Sequence, residues 1–177
     1  MLSLSALASW ESVILASIQG ASGTIEERDA QITRSGMYAE YPAIFTTYLD
    51  LAQLADDPPT ALEALKRAVF LAWHAFTAPS VFSGIAELPE SSVRELMDAL
   101  DRAIVEGRTD HELRAMLAWY HENFGYVFDH FGPVRGLEDF VAGQTAESLT
   151  ALTLQSPARF QGRGQMGAYW LRVGGTR

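Results

Sequence analysis

The sequence predicts an all-α fold, a single-domain helical bundle of six to eight helices with an irregular or short-hairpin C-terminal tail. Three observations carry that expectation. Leu62, Leu65, Val69, Ala72, Trp73 and Phe76 recur at three- and four-residue steps between Asp57-Pro58 and Pro79. Val93, Leu96, Met97, Leu100 and Ile104 repeat the pattern between Pro89 and Gly107. Such steps place apolar side chains on one face of a helix and give it something to bury. The third observation is the T-x-x-E signature at Thr24/Glu27 and again at Thr109/Glu112, where a hydroxyl and a carboxylate can cap the same helix N-terminus reciprocally.

The elements follow in order. Ser3 or Ser5 caps a first helix that runs to about Ile18 and stops at Gly20. Thr24 opens a short polar helix fading near Gly36. Pro42 suits the first turn of a third helix, YPAIFTTYLDLAQLA. Asp57-Pro58 opens the fourth and Pro89 the fifth, whose outer face carries Arg94, Asp98 and Arg102. Thr109 starts the sixth, which contains MLAWYHENFGYVFDHF. Beyond Gly132, LEDFVAG and TAESLTALTL read as short helices. ARFQGRGQMGAYWLRVGGTR reads as two short runs forming a hairpin or draping over the body. Helices four, five and six are expected at the centre, with Val69, Trp73, Phe76, Val93, Leu100, Leu117, Phe124 and Phe128 in one core.

Charge divides the chain into an acidic helical domain, residues 1–147, and a basic extension, residues 148–177, packed on or near it. The first holds all 22 acids and nine of the 13 bases, a balance of −13; the second holds Arg159, Arg163, Arg172, Arg177 and no acid. A body of that sign repels phosphate backbones, so nucleic acid is not an expected partner. The extension can instead hold its own body electrostatically or touch a second acidic chain. No run reaches the ~20 apolar residues of a membrane span, and the chain has no cysteine for a disulfide or thiolate site. The expectation is a cytoplasmic protein that does not span membranes.

Unrolled at about 100° per residue, the sixth helix has two faces. Leu113, Leu117, Tyr120, Phe124, Phe128 and Phe131 form the core side. Trp119, Tyr126 and His130 lie opposite, with Glu122 and Asp129 on their flank. Rings with polar tips favour places where one end is dry and the other wet. The binding residues expected are therefore Trp119, Glu122, Tyr126, Asp129 and His130, weighed against a helix packed on both sides.

Catalytic signals are sparse. H-E-x-x-H, any Glu-x-x-His pair, G-x-S-x-G, the P-loop pattern and G-x-G-x-x-G are all missing, so neither a metal nor a cofactor is expected. His74, His111, His121 and His130 are scattered and read as structural or solvated. Glu11 is the most irregular residue. On a stripe of Leu4, Leu7, Ile14, Leu15 and Ile18 it falls near the centre, where it must pair, protonate or reach water. On a stripe centred on Leu7, Trp10 and Ile14 it becomes a rim residue. The sequence thus favours a binding or protein-interaction module acting through the aromatic second face of the helix at 110–131. One alternative is a small hydrolase- or isomerase-type enzyme using Glu11, Glu122 and His130 in a helical cleft. The other is a structural homo-oligomer.

Overall fold

A computed structural model describes residues 2–131, 134–142 and 156–175. It is all-helical over these residues. α1 spans Leu4–Gly20, α2 Ile25–Ser35, α3 Glu40–Leu54, α4 Pro58–Thr77, α5 Ser80–Ser83, α6 Glu90–Val105, α7 His111–Phe124, α8 Tyr126–Phe131, α9 Leu137–Val141 and α10 Gly164–Gly175. Two 3-10 turns, Met37–Ala39 and Pro157–Phe160, join them. Ten α-helices among the described residues exceed the six to eight expected: α5 is too short to show a repeating stripe, the sixth expected helix divides into α7 and α8, and α10 stands where no helix was expected. The helix expected over TAESLTALTL lies outside the described residues.

The caps explain the starts. Ser3 accepts from the Ala6 amide, and Thr24 and Glu27 form a complete capping box. Asp57 accepts from both the amide and the hydroxyl of Thr60, ahead of Pro58 and Pro59. At α7 the expected box does not form. Asp110, not Thr109, is the cap, accepting from the Leu113 amide at 2.8 Å, and Glu112 turns inward to meet cations.

α4 is the axis of the fold, packing against α3, α5, α6, α7, α8 and α10. It is buried without interruption from Ala64 to Trp73, so it closes both an apolar face and, through Lys66 and Arg67, a charged one. Most of the expected core is found there: Val69, Trp73, Val93, Leu100, Leu117 and Phe128 are buried. Two residues correct the expectation. Phe76 is 43% exposed in the last turn of α4, and Phe124 is 42% exposed. The second stands where the long aromatic stretch divides into two helices. α7 ends at Phe124, Gly125 intervenes, and the Phe128 amide bonds back three residues to the Gly125 carbonyl. A Cβ on Gly125 would lie 2.8 Å from the His121 carbonyl oxygen, so the backbone there is too close for a side chain. Gly125 itself keeps right-handed helical dihedrals, and beyond it Val127 and Phe128 are buried while Phe124, the last residue of α7, stays at the surface.

The tail is the larger correction. It is neither a hairpin nor a drape but a 3-10 turn and a 12-residue helix, α10, docked on α1 and α4. Phe160, Met166 and Trp170 are buried. Glycine concealed this helix, because Gly162 and Gly164, with φ of 69° and 60°, form the turn that launches it. At Gly164 the requirement is also steric: a Cβ would come within 2.2 Å of Glu11 Oε1.

Candidate functional site

Three places bring chemistry-bearing side chains together. The first is a chain of buried polar groups that ties the basic extension to the acidic body. Arg163 donates through Nε to Glu63 Oε1 at 2.8 Å and through Nη2 to Glu63 Oε2 and, at 2.6 Å, to Glu112 Oε1. Lys66 Nζ donates to the same Glu112 oxygen at 3.1 Å and to Asp110 Oδ2 at 2.7 Å. Arg159 reaches the other Glu112 oxygen at 3.3 Å. On the far side Arg67 joins Glu63 at 2.7 Å, the Leu4 carbonyl at 2.9 Å and the Tyr48 hydroxyl at 3.3 Å. Tyr48 in turn donates to Glu11 Oε1 at 2.6 Å, and the Gln165 amide donates to Glu11 Oε2 at 3.0 Å. Gln165 Nε2 completes the run by donating to the Tyr41 hydroxyl at 2.9 Å and to the Ser83 carbonyl.

Burial pushes the Glu11 carboxyl up to about 7, against the lowering effects of the Tyr48 and Gln165 hydrogen bonds and the more distant Arg67 charge. Glu112 also loses water, yet the hydrogen bond and charge of Arg163, with those of Lys66, outweigh the burial and hold it below the ordinary carboxylate value. Glu11 thus occupies the centre of its stripe, not the rim, at 1% exposure. Neither of the two clefts described below is lined by it. Its partners are Tyr48 and Gln165, whereas Glu122 and His130 lie exposed on α7 and α8. Glu11 is thus buried apart from Glu122 and His130.

The second place is the exposed remainder of the aromatic stretch. Phe124 meets Tyr126 edge-on at 6.3 Å, and Tyr126 shares a face of α8 with His130 four residues on. His130 packs against Phe76 at 5.7 Å. The result is one belt of four rings running from α7 over α8 to the end of α4, with Tyr126 58% exposed. Its surroundings are acidic. Glu122 and Asp129 are exposed beside it, and Glu90, held low mainly by its hydrogen bond to Arg94, also feels the charge of His130. Asp129 continues into a small cleft of about 290 Å³ lined by His121, Glu138 and Asp139 as well. Trp119, expected in this face, is elsewhere. It is half-buried under α10, donating to the Tyr169 hydroxyl at 3.1 Å and meeting Trp170 edge-on at 5.6 Å. Of the three rings of the second face, Trp119 is thus covered by the chain itself, and Tyr126 and His130 are exposed.

The third place is a half-open cleft of about 780 Å³ between the C-terminal ends of α3 and α6, the start of α4 and the residues leading into α7. Alanines, leucines and prolines line most of it, and Glu63, Lys66, Arg102, Arg108 and Asp110 supply its charges. His74 belongs to none of the three. It stacks on Phe70 at 4.9 Å, and burial with the nearby Arg172 charge lowers it to about 4, so it stays neutral inside the core. Among the described residues no group of three or more His, Asp or Glu side chains is placed to hold a metal ion, and no helix is long and apolar enough to cross a membrane.

No protein-family model matches this chain, and the comparisons with curated proteins and with solved structures return no match either.

Of the residues expected at the second face, Tyr126, His130, Glu122 and Asp129 are exposed; the cleft and the ionic chain were not expected. One signal for the latter was present. Lys66 and Arg67 stand side by side inside ALEALKRAVFLAW, a largely apolar run in which a cation that is buried needs a carboxylate partner.

Proposed function

We propose that the protein is a binding module, and that the belt of Phe76, Phe124, Tyr126 and His130 is its recognition surface for a protein segment carrying a large apolar side chain flanked by lysine or arginine. The observation that carries this reading is clustering. Among the described residues, the large exposed Phe and Tyr side chains are Phe76, Phe82, Phe124 and Tyr126; three lie in the belt, and Phe82 lies apart with Arg28 5.1 Å from its ring centroid. Contiguous exposed rings mark interaction sites because rings bury large area at little entropic cost. Glu90, Glu122, Asp129, Glu138 and Asp139 around them set the sign of the partner, steering cations in and anions away. The cytoplasmic setting and the poor fit to nucleic acid expected from the sequence belong to the same reading.

The test uses two helical peptides of equal length, one alternating leucine with lysine and one alternating leucine with glutamate, titrated into the isotopically labelled protein. The lysine peptide shifts the ring resonances of Phe76, Phe124, Tyr126 and His130 and binds at least tenfold more weakly to the Tyr126→Ser variant. Equal binding of both peptides, or shifts confined to other surfaces, overturns the reading. A dimer in sedimentation equilibrium that dissociates on Tyr126→Ser replaces the basic partner with a second copy of the chain.

A further inference from the structure

The 780 Å³ cleft lies outside the belt and calls for a different ligand. Its volume falls within the range of small-molecule sites, and its walls are more apolar than polar, with the charged groups mostly paired to one another or to neighbours. Ala52 from α3, Leu62 from α4, and Ala99 and Ala103 from α6 line its interior, and Leu54, 64% exposed, stands at its edge.

The charges decide what enters. Glu63 is committed to Arg67 and Arg163, and Asp110 to Lys66 and the Leu113 amide. Lys66 is held between Asp110 and Glu112, and Arg108 is bonded to Glu106 at 2.6 Å. That leaves Arg102. It lines the cleft, and among the described residues no carboxylate pairs with its guanidinium. On a chain of net charge −9, the open charge in this cleft is a cation. A guanidinium matches a carboxylate in shape as well as sign, since two parallel N–H groups meet two oxygens.

We propose that this cleft binds an amphipathic carboxylate, its hydrocarbon body laid along the alanine and leucine walls and its carboxylate held by Arg102. The hydrocarbon gains from leaving water, and the head group remains at the cleft edge, where its own desolvation is slight. A quaternary ammonium of the same chain length meets Arg102 with like charge and is refused. An alcohol fills the walls but wins no ion pair.

Isothermal titration of the full chain with decanoate, decanol and decyltrimethylammonium tests this. Decanoate saturates one site per chain with a sub-millimolar dissociation constant, decanol binds at least tenfold more weakly, and the ammonium shows no saturation. Arg102→Gln brings decanoate to the level of decanol without changing decanol itself. Ala61→Trp, which fills the cleft from a half-buried position, removes both. If Ala61→Trp does not fold, methyl shifts in the unaltered chain serve instead, and decanoate must move Leu54, Leu62, Ala99 and Ala103. Tyr126→Ser leaves all of this unchanged, so the cleft and the belt stand or fall separately. Absence of saturable binding, equal affinity for decanoate and decanol, or full decanoate affinity in Arg102→Gln each overturns the proposal.

Discussion

Glu11 and Glu112 are both buried carboxylates, and both grip the C-terminal segment, yet the protein treats them oppositely. Glu112 faces Lys66, Arg159 and Arg163 directly and is held ionised. Glu11 receives a phenol and a backbone amide, with Arg67 acting only through Tyr48 and distance, and burial lifts it to about 7. Burial costs both groups their water. What separates them is whether a cation makes direct contact, because two neutral donors do not recover what a full opposite charge does. Arg163 therefore does more than decorate a basic tail: it is the counter-charge that allows Glu63 and Glu112 to sit inside the fold.

The largest test of that comparison removes the counter-charge. Arg163→Met leaves two carboxylates without their main partner, and should lower unfolding free energy by about 3 to 5 kcal/mol in urea titration. A loss below about 1 kcal/mol means the network contributes nothing. Next comes pH. Glu11 is raised in the folded state, so the unfolded chain releases this proton near 4.5 while the folded chain keeps it until about 7. Its favourable contribution is complete below pH 4.5 and is lost as pH rises through 7, a decline of about 3 kcal/mol. Asp110 and Glu112, held low, act in reverse: their contribution is present above the ordinary carboxylate values and is lost as the solution is acidified below them. Glu11→Gln should flatten the neutral-side slope and leave the acid side intact. A wild-type protein with no loss of stability between pH 5 and pH 8 refutes the assignment.

A smaller effect is expected at Gly164. Alanine there meets Glu11 Oε1 and must adopt a φ of 60°, costing about 1 to 3 kcal/mol. In a Glu11→Ala background only the backbone part, about 1 kcal/mol, should remain. Equal costs in the two backgrounds would show that the carboxylate is not in contact with the turn. Smallest of all, Tyr126→Ser should change stability by less than about 0.5 kcal/mol, because the ring is mostly exposed and holds no helix in place. A larger loss would make the belt core after all.

The helical class was legible because α4 and α6 repeat long, regular stripes between strong boundary residues. Position on the stripe did not by itself settle burial: Phe124, at the last position of α7, is exposed, whereas Leu117 before it and Phe128 beyond Gly125 are buried. Trp119 was misread for another reason: its cover, α10, comes from the end of the chain, and no local pattern announces a long-range partner. The same distance hid the network. Glu63, Lys66, Glu112 and Arg163 form ordinary helical and tail composition until folding brings them together. The cleft was hidden too, since alanines on three helices outline a space only after those helices cross.

Gln165 reaches Glu11 across 154 positions of chain, and Arg163 reaches Glu63 across 100. Closing such distances costs chain entropy that the short link between α3 and α4 avoids, so the hairpin can form early while α10 arrives late. Interactions absent from the transition state govern how long the native state lasts, not how fast it is reached. Arg163→Met should therefore hasten unfolding in stopped-flow measurements and leave the folding rate nearly unaltered. α10 acts as a latch on the molecule's lifetime, closed from inside by carboxylates whose other cations, Arg67 on Glu63 and Lys66 on Glu112, are supplied by α4 before that helix docks.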